Sequence, residues 1–137
     1  MAFAGVNYVA VALAGVAGWL VGALWYWVLG KPWMAANNMA PDCAKPSGSA
    51  FALPFIVAFA ADLAMAWAIA GLLGHFAQFS IKDGVITGAA CWLGFVITTM
   101  AVNNVFAKRN PMLLLIDGGH WLAVLTVQGA IIGAMGV

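Results

Sequence analysis

Long apolar stretches separated by short polar breaks dominate this chain. Four runs stand out, roughly Phe3–Leu29, Phe51–Gly74, Gly84–Phe106 and Met112–Met135. Each holds about 20 residues or more, enough to cross about 30 Å of hydrocarbon at helical rise. Backbone polar groups in lipid must bond within the protein, and these runs are too long for barrel strands, so the pattern predicts four transmembrane helices. The breaks are rich in turn formers. Lys31-Pro32 is expected to end the first helix, and "APDCAKPSGSA", Ala40 to Ala50, reads as a polar loop. Lys82-Asp83-Gly84 separates the second and third helices, and "KRNP", Lys108 to Pro111, makes a tight turn before the fourth. "KPWMAANNM", which begins at Lys31, reads as a short surface helix with Pro32 in its first turn. The expected fold is all-α, a single four-transmembrane-helix domain over residues 1–137 with short loops.

Composition fixes the solvent. The chain is 66% hydrophobic and only 7% charged, with a mean hydropathy of +1.04. A soluble domain is about a quarter charged, so this chain has too little polar surface to face water and must face a lipid bilayer. A net charge of +1 gives no general attraction to nucleic acid, and none is expected as a partner. Cys43 and Cys91 fit no zinc or redox spacing. The opening "MAFAGVNYVAVALAG" carries no Lys or Arg, which predicts a retained first helix rather than a secretory signal.

Charge also orients the helices. The first and third loops hold Lys31, Lys45, Lys108 and Arg109, against Lys82 alone on the other side. The positive-inside rule then places those loops in the cytoplasm and both termini outside. Trp25, Tyr26, Trp27 and Trp33 fall where the first helix leaves that face. Interfacial anchoring is the favoured reading, since amphipathic rings prefer the headgroup level and Lys31 can snorkel beside them. The other reading is an aromatic pocket for a cation or quinone. Lys31, Lys108 and Arg109 are placed to meet anionic headgroups, although topology alone accounts for them.

Small residues recur every fourth position in two helices: Ala10, Ala14, Gly18 and Gly22 in the first, and Ala58, Ala66, Ala70 and Gly74 around Asp62 in the second. Helices in lipid associate through close backbone contact at such residues, so both stripes should face other helices. Gly129 and Gly133 form another GxxxG, turned away from Asp117 and His120 by helical angle and so suited to a subunit contact.

Ionisable groups inside a membrane cost about 2.5–3.5 kcal/mol each at the centre on insertion scales. Asp62, Asp117 and His120 are three such groups. Asp117 and His120 share a face, and Gln128 falls on it about three turns on. By helical rise His120 lies about 13 Å and Asp62 about 16 Å from the cytoplasmic ends. The third helix adds Thr98, Thr99, Asn103 and Asn104. These groups are expected to converge in the cytoplasmic half as a polar cluster: Asp117, His120, Asn103, Asp62, Thr99 and Gln128.

That cluster has three readings. It is interhelical glue, with Asp117 capping the fourth helix or pairing with Arg109. It binds a proton, a cation or a small polar solute for transport. Or Asp117 and His120 do acid-base work on a lipid or quinone. The last is weak: Ser47, Ser49 and Ser80 lie in loops, and neither HExxH nor CxxC occurs. His75 and His120 lie at opposite depths and cannot share a haem, and no metal or other cofactor is expected.

Two segments resemble a known family. "GALWYWVLGKPWM", Gly22 to Met34, and "NNVFAKRNPMLLLIDGGH", Asn103 to His120, are similar to motifs of small bacterial and fungal integral membrane proteins catalogued only as a domain of unknown function. The shared pattern falls on Gly22, Trp25, Tyr26, Gly30, Lys31 and Trp33, then on Asn103, Phe106, Lys108, Arg109, Ile116, Asp117, Gly119 and His120. The resemblance implies a four-helix membrane protein and supplies no reaction. It also implies that Asn103, Asp117 and His120 form one constellation with the aromatic residues, and it leaves Asp62 an individual feature. The expected function is a small transporter or channel-like protein, working as a homo-oligomer. The alternatives are a structural or accessory subunit of a larger membrane complex, and a lipid- or quinone-binding protein. A bacterial inner membrane is the expected location.

Overall fold

The computed structural model describes residues 3–77 and 79–136, and all regular structure among them is helical. The helices are α1 (Tyr8–Ala36), α2 (Ser49–Phe76), α3 (Ile81–Cys91), α4 (Ile97–Phe106) and α5 (Pro111–Met135). A π-helical turn, Trp92–Val96, joins α3 to α4, so the two form one span. Four spans are thus long and apolar enough to cross a membrane.

Caps explain where the helices start. Asn7 accepts from Ala10 N and starts α1 five residues later than Phe3; Phe3 instead turns back to stack on Trp67 at 4.2 Å. Ser80 accepts from Asp83 N at 3.0 Å while its hydroxyl donates to the Asp83 carboxylate. The expected Lys82-Asp83-Gly84 break is therefore the first turn of α3. Asn110 caps α5 through Met112 N, with Pro111 at the first position.

The expected stop at Lys31-Pro32 does not occur. One helix continues to Ala36, and no separate surface helix forms. Proline forfeits its own N–H bond and crowds the carbonyl four residues back, a cost the helix absorbs near its end. Its ring lies on the exposed side, while Trp33 on the next position is tied to α5.

α5 is the central element and packs against each of the other helices. The small-residue stripes face inward as expected: Ala10, Ala14 and Gly18 of α1 and Asp62, Ala66 and Ala70 of α2 are all buried. The core between α1, α2 and α5 is built from these with Ile69, Leu73, Leu125 and Ile132.

The third span meets α5 backbone to backbone. A Cβ on Gly84 would fall on the Gly129 carbonyl, one on Gly88 on the Leu125 carbonyl, and one on Gly133 on the Ser80 carbonyl. Gly129 and Gly133 are therefore used within the chain, not on an outer face for a subunit contact. The third span brings a GxxxG of its own, Gly84 against Gly129 and Gly88 against Leu125.

Candidate functional site

The "IDGGH" segment of α5, Ile116 to His120, organises the end of the bundle that carries the basic loops. Gly118 and Gly119 have no side chains to shield the α5 backbone, and an indole reaches it from each side. Trp25 of α1 lies across Gly119 and donates to the Ile116 carbonyl at 3.0 Å. Trp92 of the π-helical turn donates to the Gly118 carbonyl at 2.8 Å. These carbonyls already belong to the α5 ladder, so each indole N–H finds a partner without breaking the helix.

Asp117 projects between them toward α1. Its Oδ1 accepts from the Tyr26 hydroxyl at 2.6 Å and from Trp33 Nε1 at 3.1 Å. Tyr26 and Trp33 meet edge to face, 6.1 Å between centroids. Two donors on one carboxylate oxygen make a charge-assisted arrangement. No basic side chain among the described residues completes it. Arg109 turns instead to Asn104 Oδ1, at the 3.5 Å limit of a hydrogen bond, and Asn110 rather than Asp117 caps the helix. Both structural roles expected for Asp117, capping and pairing with Arg109, are thus filled otherwise.

The interfacial-anchor reading of the aromatics needs the same correction. Only Trp27 points outward, 82% exposed, while Trp25, Tyr26 and Trp33 turn in toward α5. Helical spacing accounts for this: positions 25, 26, 29 and 33 share a face, and 27 lies off it.

His120 lies one turn deeper and is buried. Its ring sits 5.1 Å from Tyr26 and 4.5 Å from Trp121, and Gly22 leaves the space that its Nε2 approaches. Its Nδ1 is buried with no hydrogen-bond partner. Two turns further along α5, Gln128 is fully buried, and its Nε2 donates to the Asp62 backbone carbonyl at 3.0 Å. The Asp62 carboxyl lies beside it, and both face Gly18 of α1.

The single expected cluster is therefore two sites on one seam, Asp117 with His120 and, deeper, Asp62 with Gln128. Asn103 and Thr99 belong to neither. Both are exposed on the outer side of the third span, where with Thr98 and Val102 they line a shallow open recess of about 300 Å³. Thr98 and Thr99 donate to the Gly94 and Phe95 carbonyls of their own span. The π-helical turn carries an extra residue per turn and resets the face of everything after it. An ideal helical count misses that reset, and Asn104 is buried in place of Asn103. Lys31, Lys108 and Arg109 are exposed at the basic end. The described residues contain no group of three His, Cys, Asp or Glu spaced to hold a metal.

The family described as "Protein of unknown function (DUF1761)" matches residues 9–133. The chain belongs to that family. The DUF1761 match takes in nearly the whole of all four spans and every residue of both polar sites, which agrees with the resemblance to an uncharacterised domain. No curated protein and no solved structure matches the chain significantly. This DUF1761 protein is an integral membrane protein by its four apolar helices.

Proposed function

We propose that the chain is a small transport protein in which the α1–α5 seam handles a small ion or polar solute that enters at the basic end. One observation carries this reading. Asp117 sits inside the fourth span, ringed by aromatic donors, with no basic side chain bonded to it among the described residues. The two aromatic donors bridge α1 to α5 but leave the carboxylate without a counter-charge, and an intramembrane carboxylate of that kind is suited to a passing cation or proton. His120 and the Asp62–Gln128 pair continue the polar seam inward. The uneven distribution of Lys31, Lys45, Lys108 and Arg109 against Lys82 supports placing the basic end in the cytoplasm, with both termini outside; the resemblance to small bacterial membrane proteins supports a bacterial inner membrane.

The test is flux through proteoliposomes loaded with dyes for protons, sodium and potassium. Wild-type protein is expected to pass one of these faster than protein-free vesicles. Asp117→Asn keeps an oxygen to accept from Tyr26 and Trp33, so it should fold and lose the flux. A wild type indistinguishable from empty vesicles for all three ions removes the support for ion transport. Undiminished flux in Asp117→Asn removes this residue from the mechanism.

A second reading, docking to another copy of the chain, is favoured by the outer face of the third span. That face presents Thr98, Thr99, Asn103, Phe95 and Phe106 to its surroundings. Native mass spectrometry of gently solubilised membranes distinguishes a homo-oligomer from a monomer or from a complex with different subunits.

A further inference from the structure

The deeper polar pair has an unusual imbalance. Asp62 is 3% exposed and lies midway along α2, and Gln128 is 0% exposed. Asp62 Oδ1 and Gln128 Oε1 are both sealed from solvent, and neither has a hydrogen-bond partner. Both unpaired atoms are oxygens.

The orientation of the Gln128 amide is set by its surroundings. Its Nε2 donates to the Asp62 backbone carbonyl, and flipping the amide would press oxygen against oxygen. Oε1 is therefore the free end. No side chain among the described residues donates to either oxygen, and α1 faces the pair with Gly18, which has no side chain. A Cβ on Gly18 would sit 2.6 Å from Gln128 Nε2 and 3.1 Å from Asp62 Oδ1, so a larger residue there would displace the Gln128 amide.

Two buried acceptors without a protein donor are satisfied by a proton, a cation or a buried water. A hard metal cation takes six or more oxygens, and this site offers two with a sealed wall. A proton on the Asp62 carboxyl supplies a donor at the level of Gln128 Oε1 and also removes the cost of an isolated buried charge, which a water would not do.

We propose that Asp62 and Gln128 form a proton-binding site midway through the membrane-spanning bundle, in which the Asp62 carboxyl holds a proton and donates it to Gln128 Oε1. The site joins α2 to α5 across the gap left by Gly18. The inference concerns what the site binds, and it stands whether or not the chain passes ions.

Infrared spectroscopy of the purified protein in vesicles tests it at neutral pH. The wild type is expected to show a protonated-carboxyl C=O band. Asp62→Asn should lose that band, whereas Asp117→Asn should retain it. Gln128→Leu removes the acceptor and should shift the band to higher frequency. A wild type without the band overturns the proposal, as does a band that survives in folded Asp62→Asn or does not move in folded Gln128→Leu.

Thermal unfolding in detergent gives an independent reading. An asparagine amide donates as the protonated carboxyl does, so Asp62→Asn should unfold near the wild-type temperature. Asp62→Ala leaves Gln128 Oε1 without a donor and should unfold at a clearly lower temperature. Equal loss in the two variants overturns the donor role.

Discussion

Replacing Gly84 by alanine adds one methyl group to a helix buried in lipid and protein, and it should be among the most damaging single changes in the chain. The methyl would overlap the Gly129 carbonyl. The obstacle is α5 backbone, so no rotamer change clears it, and α3 and α5 must part by well over an ångström. That separation also loosens the Gly88–Leu125 and Gly133–Ser80 approaches. Overpacking of this kind costs about 1–3 kcal/mol, and rigid backbone on both sides puts Gly84 at the upper end. Alanine recovers up to about 1 kcal/mol of helix propensity, which leaves a net loss of about 2 kcal/mol. Gly30→Ala is the control, because nothing lies within 4 Å of its added Cβ. It keeps the propensity gain and should be neutral or stabilising. The assay is unfolding of the detergent-solubilised protein by dodecyl sulfate, followed by circular dichroism. If Gly84→Ala unfolds at the same denaturant fraction as Gly30→Ala, α3 and α5 are not in backbone contact.

Other perturbations separate residues that composition treats alike. Trp25→Phe loses the bond to the Ile116 carbonyl and should destabilise by about 1 kcal/mol, whereas outward-facing Trp27→Phe should change stability little; the same unfolding assay compares them. Tyr26→Phe and Trp33→Phe each remove a donor to the same Asp117 oxygen, so a double-mutant cycle should give non-additive losses, with single effects of about 1.5–3 kcal/mol for bonds to a charged group. Asn104→Ala should lower the unfolding midpoint more than Asn103→Ala, since only Asn104 is buried, and reversed effects would mean that the face assignment after the π-helical turn is wrong. Asn110→Ala removes the α5 cap and should cost about 1 kcal/mol, read as a lower thermal midpoint.

The four spans were legible because nothing else lets so many apolar residues meet lipid, and the inward stripes were legible because small residues recur every fourth position. Asp117 and His120 were legible as a pair from their spacing alone. The continuation of α1 past Pro32 was not. Trp33, one residue past the proline, is bonded to Asp117, 84 residues away, and local propensity carries no trace of that bond. Nor was the displacement of Asn103 and Thr99 from the polar seam, because the π-helical turn at Trp92–Val96 leaves no clear signature in "WLGFV". The Gly84-xxx-Gly88 pair was available as a signal. It opened the expected third span, Gly84–Phe106, but Gly84 also closed the expected Lys82-Asp83-Gly84 break and so read as a turn former; Ser80 is the true cap. The inward turn of Trp25, Tyr26 and Trp33 could have been found by asking which of the four aromatics share a helical face.

Glycine does two different jobs on the two sides of α5, and the difference bears on where chemistry resides. Toward α3 it lets backbone touch backbone, with Gly84 against Gly129, Gly88 against Leu125 and Gly133 against Ser80. Toward α1 it removes a side chain from one partner only. Gly22 leaves room for His120 and Gly18 leaves room for Asp62 and Gln128, so α1 acts as a smooth wall against which the polar groups of its neighbours are held. Adding a side chain at Gly18 or Gly22 would press on Gln128 or His120. The α3 side is therefore the mechanical joint of the bundle. The α1 side is the only inter-helix seam of the described residues in which buried carboxyl, imidazole and amide groups follow one another, and a search for activity in this protein belongs there.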